Sequence, residues 1–501
     1  YCRGRASFSA DQWIDLLVAS VGLDPAKLSR RAKLFQLTRL VPYVERNYNL
    51  VELGPKGTGK SHIYSEFSPH GILVSGGEVT LAKLFVNNAT RRIGLVGYWD
   101  VVAFDEFAGR KRVERSLVDT LKANLRQGGI FIAFVAIVAL FWAFNPDTFL
   151  SSGNLTNIVL QYSYILILAI GMLFVIVLAQ IDLSVGSVVA VTGALSGVLV
   201  IRHGYPWWVG VIAALVMGIL IGAFQGFWVA YVGIPGFIVT LAGMLLFRGL
   251  TYQVLDNVSL SPFPKGYYNI ANGFLNGLLG GNGFDVFTLV IFGIGVAGFA
   301  YQQLRTRRAR ISYNQAVEAM WLFIAKIVVI GIVVMWFAYK LSIERGLPIV
   351  LILLAILVLV FGTLASSTMF GRDVYAIGGN KSAAALSGIN VKKVTFWCYV
   401  NMGFLAGVAG VVYSARMNGA QPSAGNMFEL DAIAACFIGG ASTTGGIGRL
   451  SGALIGGLIM AVMSNGMQLM GASTSTQQIV KGAVLLLAVA FDVWNKQRAS
   501  A

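Results

Sequence analysis

Apolar residues are distributed in two different ways along this chain, and the change comes near residue 120. Before it, short apolar runs alternate with charged and glycine-rich stretches, a pattern typical of an α/β segment. From Gly128 onward, apolar segments follow one another, and many of them approach the ~20 residues that a helix needs to cross a bilayer. The pattern therefore predicts an incomplete α/β segment over 1–120 and a transmembrane domain over 121–501.

The second part contains twelve apolar segments, several of them too short for a complete span. They cover roughly residues 128–144, 156–179, 184–201, 207–231, 235–255, 284–300, 318–338, 347–365, 396–417, 428–442, 448–471 and 476–493. The segment 428–442 ends at Gly439 and Gly440 and is interpreted as a half-helix. We therefore predict a mainly α fold, a polytopic membrane bundle of about ten spans with twelve as the upper limit.

Glycines recur at helical spacing inside these segments, where a missing side chain lets two backbones approach closely. Examples are Gly218, Gly222 and Gly226, and also Gly403 and Gly407. They predict a tightly packed bundle, and we assign them no role in binding.

The net charge is +16, and much of the positive excess lies in short loops of the second part. These positions are Arg305, Arg307, Arg308, Arg310, Lys392 and Lys393. Positive loops are retained on the cytoplasmic side of a membrane, so we expect a multi-pass protein of the bacterial inner membrane with both termini in the cytoplasm. The charge is thereby accounted for without nucleic acid, and DNA is not expected as a partner.

Cysteine, histidine and the chain start add little. Neither the 3 cysteines nor the 3 histidines have the spacing of a disulfide framework or a metal site, so no metal is predicted. The first residue is Tyr1, and no charged start with a short apolar core follows it. We expect no signal peptide and a start inside a longer protein.

The first part has the local signals of a soluble α/β segment. Ser9 followed by Gln12 forms a capping-box pattern, and Asp24 before Pro25 predicts a second helix start. Residues 49–53 and 101–104 predict two buried strands.

A phosphate-binding loop follows the first of these strands. Residues 54–61 fit the pattern G-x-x-x-x-G-K-[ST], whose backbone amides cradle phosphates while the lysine reaches the β and γ oxygens and the serine holds Mg²⁺. The predicted nucleotide-binding residues are Gly54, Gly57, Thr58, Gly59, Lys60 and Ser61. Asp105 would bind Mg²⁺ through water, and Glu106 would orient or deprotonate the attacking water. ATP and Mg²⁺ are the cofactors predicted here, and none is predicted for the second part.

Residues 45–120 resemble the AAA+ core of the Lon-like protein of BREX phage-defence systems. The runs that carry the resemblance are GPKGTGKSHIYSEFSPHGILVSGG and YWDVVAFDEFAG. The resemblance implies an ATP-driven hexameric ring that engages DNA. The region ends soon after Glu106 and leaves no room for a sensor strand, an arginine finger or a lid. We therefore expect a truncated segment that binds or weakly hydrolyses ATP, or that is a passenger.

The chain from about Leu121 to its end resembles the permease subunit of sugar-importing ABC transporters, of the xylose, ribose and multiple-monosaccharide type. The runs that carry the resemblance are residues 181–187 (IDLSVGS), 235–243 (PGFIVTLAG), 375–389 (YAIGGNKSAAALSGI) and 429–435 (ELDAIAA). The resemblance implies that a periplasmic or extracellular binding protein delivers a sugar. It also implies that two permease subunits form the path, and that separate ATPase subunits drive alternating access.

The polar, small-residue run 379–388 is predicted to form a short cytoplasmic helix that docks in an ATPase cleft. The residues assigned to this coupling are Gly379, Asn380, Ala383, Ala384, Ser387 and Gly388. The alternative is an ordinary connecting loop in which Arg372 and Lys392 only set the topology.

Several polar residues inside the apolar part are candidates for a sugar path. They are Asp182, Gln225, Asn401, Asn418, Glu429 and Asp431. Asp182 has an alternative role as a cap that satisfies free amides of the next helix, and the same two readings apply to Glu429 and Asp431. Trp228 is a further candidate for a stacking face, although aromatic residues near membrane interfaces are commonly structural.

Three functions follow as hypotheses. The first is the permease subunit of a monosaccharide importer with a truncated AAA+ segment fused in front. The alternative is a membrane-anchored AAA+ ATPase of a BREX-like phage-defence system. The third is a self-powered pump in which the first part drives the second.

Overall fold

A computed structural model describes residues 8–20, 23–43, 71–75, 86–87, 92–93, 101–105, 125–312, 317 and 319–500. The chain divides into two compact units near residue 113.

The first unit begins with two short helices, α1 (Ala10–Ser20) and α2 (Arg30–Leu37). The amide of Gln12 donates to Ser9 Oγ (3.3 Å) and the amide of Ser9 donates to Gln12 Oε1 (2.9 Å), which confirms the predicted capping box. Asp24 also caps as predicted, by accepting from the Ala26 amide (3.0 Å), but the turn that follows it is a short 3₁₀ helix, Pro25–Lys27.

Four strands of the first unit are described. They are β1 (Gly71–Ser75), β2 (Val86–Asn87), β3 (Arg92–Ile93) and β4 (Val101–Asp105). β1 and β4 are parallel neighbours with Ser75 opposite Asp105, and β2 pairs with β3 in antiparallel fashion. The strand predicted over 101–104 is confirmed and extends one residue further. The strand predicted over 49–53, the phosphate-binding loop 54–61 and Glu106 lie outside the described residues.

The second unit is almost entirely helical, which confirms the predicted fold class. Its helices are α3 (Leu125–Phe144), α4 (Ser152–Val177), α5 (Val185–Gly197), α6 (Trp207–Phe227), α7 (Gly236–Leu255), α8 (Lys265–Asn272), α9 (Val286–Ser312), α10 (Met320–Glu344), α11 (Ile349–Ser367), α12 (Met369–Gly379), α13 (Lys381–Leu386), α14 (Val391–Met417), α15 (Phe428–Ile438), α16 (Leu450–Leu469) and α17 (Thr474–Ser500). A two-residue ladder pairs β5 (Phe274–Leu275) with β6 (Leu347–Pro348).

Within the described residues, 9 helices are long and apolar enough to cross a membrane. They are α4, α5 with its π-helical extension to Arg202, α6 with its extension to Val232, α7, α9, α10, α11, α14 and α16. The apolar part of α3, Gly129–Phe144, is shorter than these helices and is not among the 9. α15 has 11 residues and ends at Ile438, with Gly439 as its C-cap, as predicted for a half-helix.

The core of the bundle lies around α4, which is apolar on all sides and buried along most of its length. A helix that is apolar all round is stable only when it is surrounded. α14 packs beside it, whereas α9 and α10 expose most of their apolar side chains. The exposed faces of α9 and α10 are therefore suited to contact lipid.

α6 and α14 pack through glycines, as the spacing predicted. A Cβ atom added to Gly218 would lie 2.3 Å from Gly403 O, and one added to Gly222 would lie 2.4 Å from Tyr399 O. Cβ atoms do not approach other atoms this closely, so no side chain fits at either position. The two helices are thus in main-chain contact.

The α12 end of the bundle is one of its two ends. There, the amide of Gly446 in the α15–α16 loop donates to Val177 O at the end of α4 (2.8 Å). The amide of Gly236 at the start of α7 donates to Gln180 Oε1 in the α4–α5 loop (3.2 Å). These bonds connect two loops, the end of α4 and the start of α7.

The α8 end contains the short helix α8 and the loops near it. Leu260 and Ala420 exchange two backbone hydrogen bonds of 2.9 Å, and Arg202 pairs with Asp256 at 3.0 Å. The small β5–β6 ladder closes the same region.

Candidate transport site

A buried polar cluster lies where α5 begins. Asp182 is only 2% exposed, and its Oδ1 accepts from the amide (2.8 Å) and the hydroxyl (2.6 Å) of Ser184. Gln225 on α6 donates from Nε2 to Ser184 Oγ (2.7 Å). Burial raises the pKa of Asp182, and the two bonds from Ser184 oppose that rise. The cluster thus links the α4–α5 loop to α6 through buried polar side chains.

Asp182 and Gln225 are two of the predicted path residues, and Ser184 brings them together. Asp182 accepts from the amide of Ser184, the N-cap residue of α5, and does not itself occupy the N-cap position. A contact between either side chain and a sugar stays a prediction.

Glu429 and Asp431 lie in the first turn of α15 and face different neighbours. Asp431 accepts from Lys481 Nζ with both carboxylate oxygens, each at 3.1 Å. Glu429 is half-buried beside α5, where a Cβ added to Gly186 would lie 2.4 Å from Glu429 Oε2. Asp431 is therefore neutralised by Lys481, while the Glu429 carboxylate lies against a glycine.

Lys481 was not among the predicted site residues. It is a lysine inside the apolar segment 476–493, and a charge in such a segment commonly indicates a partner. That signal was available in the sequence, but its spacing of 50 residues from Asp431 did not point to the pair.

Three aromatic rings meet near the start of α15. Tyr164 on α4 lies 5.0 Å from Tyr413 on α14 and 4.5 Å from Phe428, measured between ring centroids. Tyr413 and Phe428 are also 5.0 Å apart. The three rings are mutually in contact at distances typical of aromatic pairs. No pattern in the sequence connected them, because they lie on three different helices.

Asn401 and Asn418 lie far apart and do not belong to one common site. They are separated by 17 residues along and just beyond α14, which corresponds to about 25 Å. Asn418 caps α14 and accepts from the Phe263 amide through Oδ1 (3.0 Å) at the α8 end. The Nδ2 of Asn401 is buried and has no hydrogen-bond partner among the described residues.

The predicted coupling run does form a short helix, α13. Asn380 caps it by accepting from the Ala383 amide (3.0 Å), Ser387 Oγ donates to Ala383 O (3.0 Å), and Gly388 follows with φ of +85°. Ala384 is 4% exposed and faces its own chain, whereas Leu386 is 90% exposed. Leu386 is thus the large apolar side chain that α13 exposes.

Gly379, the first residue of the predicted run, lies at the end of α12. Its Cα would be 2.8 Å from a Cβ added to Gly446, so it contacts the α15–α16 loop directly. The run therefore has an inner contact to the bundle at Gly379 and an exposed face on α13.

Comparison with known proteins gives two family matches. Residues 1–135 match the family described as Lon-like protease BrxL-like, ATPase domain. Residues 154–489, more than half of the chain, match the family described as branched-chain amino acid transport system / permease component. The chain belongs to this permease family. The match of residues 1–135 to the BrxL-like ATPase domain confirms that a segment resembling a BREX-type AAA+ core precedes the permease.

The matches to curated relatives span almost the entire length of each relative. The xylose transport system permease protein XylH of Haemophilus influenzae is 40% identical over 375 residues, which is 75% of this chain and 98% of that protein. XylH of Escherichia coli K12 is 40% identical over 379 residues, 75% of this chain and 94% of that protein. The ribose import permease protein RbsC of H. influenzae is 34% identical over 362 residues, 72% of this chain and 91% of that protein. With its long apolar helices, the permease is a multi-pass inner-membrane protein.

Proposed function

We propose that this chain is the permease subunit of an ABC importer that moves a monosaccharide, a pentose such as xylose or a related hexose, into the cytoplasm. The observation that carries the proposal is the identity of 40% to two xylose permeases over nearly their whole length. Identity to a ribose permease is lower, 34%. The difference favours a xylose-like substrate.

The sugar path is proposed to run past the start of α15. A monosaccharide has hydroxyl groups that need hydrogen bonds and C–H faces that pack on aromatic rings. Glu429 and the Asp182–Ser184–Gln225 cluster supply polar groups, and the rings of Tyr164, Tyr413 and Phe428 supply apolar faces. This combination in a membrane bundle supports a carbohydrate rather than an ion or a lipid as cargo.

Transport is proposed to occur by alternating access, driven by separate ABC ATPase subunits. α13 would dock in the ATPase cleft through Leu386, the exposed apolar side chain of a short helix that is otherwise small and polar. The α12 end would then face the cytoplasm, together with both termini and the arginines at 305–310.

The remaining partners follow from the same arrangement. A binding protein in the periplasm or outside the cell would deliver the sugar at the α8 end. Two copies of the permease would form the complete path, as the family resemblance implies.

Uptake by reconstituted vesicles tests the proposal. The full chain is combined with its matching ATPase and binding protein, and the entry of labelled xylose, ribose and leucine is measured with and without ATP. We expect ATP-dependent entry of xylose that exceeds entry of ribose. Entry of leucine without either sugar would contradict the assignment and would agree with the family's description instead.

A second candidate function is nucleotide binding by the first part. The match of residues 1–135 to an ATPase domain supports it, as does the parallel pairing of β1 with β4. ATP binding by the full chain and by Lys60→Ala is the measurement, and loss of binding in the variant is expected.

Removal of residues 1–120 separates a passenger from an engine. Equal sugar uptake by the shortened and full chains would favour the passenger. Abolished uptake by a shortened chain that is well expressed and assembles with its ATPase would favour the self-powered pump.

A further inference from the structure

The second half of α12 lies directly on the loop that joins α15 to α16. Val374 and Ile377 are buried and anchor α12 to the bundle. Tyr375, half-buried between them, donates its hydroxyl hydrogen to Gly448 O in the loop (2.8 Å). The bond connects the segment that carries α13 to a loop more than 70 residues later in the chain.

Main-chain contacts reinforce this bond. A Cβ added to Gly378 would lie 1.7 Å from Val177 O and 2.7 Å from Gly446 N, so α12 touches the loop with no side chain between them. Gly446 has φ of +71° and donates its amide to Val177 O (2.8 Å). A displacement of α12 is thus passed to the loop without a flexible side chain to absorb it.

The α15–α16 loop is itself tied together. The Ser442 amide donates to Ile447 O (2.8 Å), and the Thr444 amide donates to Ser442 Oγ (3.2 Å). These bonds cross the loop from one side to the other. We expect the loop to move as one piece.

The helices on either side of the loop are in main-chain contact. A Cβ added to Gly439 would lie 2.3 Å from Gly452 O, and one added to Gly456 would lie 2.0 Å from Ala435 O. The contacts leave no layer of side chains between α15 and α16. The two helices and their loop therefore form one hairpin.

The far end of this hairpin carries the groups of the candidate path. α15 spans 11 residues, about 16 Å, and its first turn contains Phe428, Glu429 and Asp431. A movement that enters at Gly448 and Gly446 thus reaches the aromatic trio and the carboxylates through one short helix.

We propose that Tyr375 is a positioning residue through which movement of the α12–α13 segment is passed to the α15–α16 hairpin and so to the sugar path. This inference rests on the proposed ATPase-driven transport. The physical basis is a directional hydrogen bond, flanked by glycine contacts, between α12 and a hairpin that moves as one piece.

Uptake and ATP hydrolysis by the complete assembly test the role of Tyr375. The full chain, its Tyr375→Phe variant and a Tyr339→Phe control are each assembled in vesicles with the ATPase and the binding protein. Tyr339 is on the exposed face of α10, so Tyr339→Phe removes the same hydroxyl group at a position away from the α15–α16 loop. In Tyr375→Phe we expect sugar delivered per ATP to fall about fivefold, with ATP hydrolysis within about twofold of the native rate. Tyr339→Phe should keep the native ratio.

Labelling of the hairpin gives a readout that does not depend on uptake. Met427, exposed just before α15, is replaced by cysteine in a Cys2→Ser background, in which Cys398 and Cys436 are buried. The rate of maleimide labelling is measured with and without trapped nucleotide on the ATPase. We expect nucleotide to change the rate in the chain with Tyr375 and to leave it unchanged with Tyr375→Phe.

Two results would overturn the proposal. One is a native sugar-to-ATP ratio in Tyr375→Phe, and the other is a labelling rate at Met427→Cys that ignores nucleotide even with Tyr375 present. The labelling result can be obtained even if the Tyr375→Phe variant does not assemble, because it needs only the chain with Tyr375. Absence of ATP-dependent uptake by the native chain would instead count against the proposed transport function.

Discussion

Lys481 on α17 holds both carboxylate oxygens of Asp431 on α15, each 3.1 Å from its ammonium nitrogen. The pair joins the half-helix to the last helix of the bundle. Asp431 is buried and Lys481 is largely so, which makes the pair sensitive to the loss of one partner.

Replacing Lys481 by methionine should destabilise the permease by about 2–3 kcal/mol, because a buried carboxylate then lacks its partner. This lies below the ~3–5 kcal/mol of a fully buried pair, since Lys481 keeps some contact with solvent. Thermal unfolding in detergent is the measurement, with Lys392→Met on the exposed surface as a control. The double variant Lys481→Met with Asp431→Leu should regain much of the loss. If the double variant is as unstable as Lys481→Met, the unpaired charge of Asp431 is not the cause of the destabilisation.

Filling the contact between α6 and α14 should be costly. Gly222→Ala places a Cβ 2.4 Å from Tyr399 O, so the helices must separate, and we expect a loss of about 1–3 kcal/mol. Gly249→Ala on α7 is the matched control, because nothing lies within 4 Å of the added atom. There we expect no loss, or a gain of about 0.5–1 kcal/mol from helix propensity. Unfolding curves of equal midpoint for the two variants would show that the contact is not tight.

The stability of the permease should depend on acid pH through Asp285. This buried side chain precedes α9, and it accepts from the amides of Gly277 (2.9 Å) and Thr288 (2.9 Å) and from the Thr288 hydroxyl. Burial raises the pKa of Asp285, but these hydrogen bonds outweigh it and hold the pKa below its usual value.

Because the folded pKa is lowered, the unfolded chain binds this proton more tightly. The contribution of Asp285 to stability is complete above the unfolded pKa of about 3.9 and is lost as the pH falls through the folded pKa. We expect Asp285→Asn to cost about 1–3 kcal/mol at neutral pH. The gap between native and variant unfolding midpoints should narrow towards pH ~3. A gap that stays constant over this range would exclude the carboxylate as its source.

The exposed face of α13 should decide the binding of the ATPase. Leu386→Asp removes an apolar side chain worth about 1.5–3 kcal/mol when buried in an interface, which corresponds to a roughly ten- to hundredfold weaker association. Co-purification of the ATPase at graded concentrations measures it. Leu278→Asp, exposed near the opposite end, is the control. If both variants retain the ATPase equally, α13 is not the docking helix.

The sequence predicted the parts of the fold that depend on local pattern. Long apolar segments have to become helices in a bilayer, because a helix satisfies all backbone groups internally. Glycine spacing predicted the contact at Gly218 and Gly222 for a similar reason, since residues four apart share one helix face. The capping box at Ser9 depended on only four residues.

Relationships between distant segments were beyond the same reasoning. The pairing of Lys481 with Asp431 and the aromatic trio depend on how helices far apart in sequence are arranged. Ala384 belongs to the predicted docking run but is buried, because the inward face of α13 is set by the residues beneath it, which the local pattern does not specify. Asn401 and Asn418 were grouped by residue type, although the length of α14 keeps them apart.

The main-chain contact between α6 and α14 also limits how the molecule can change shape. Helices separated by side chains can shift past each other as those side chains change rotamers. Between α6 and α14 the carbonyl oxygens of one backbone lie directly against the other backbone, so such a shift would cause a clash. These two helices can therefore change position only together, as one rigid pair.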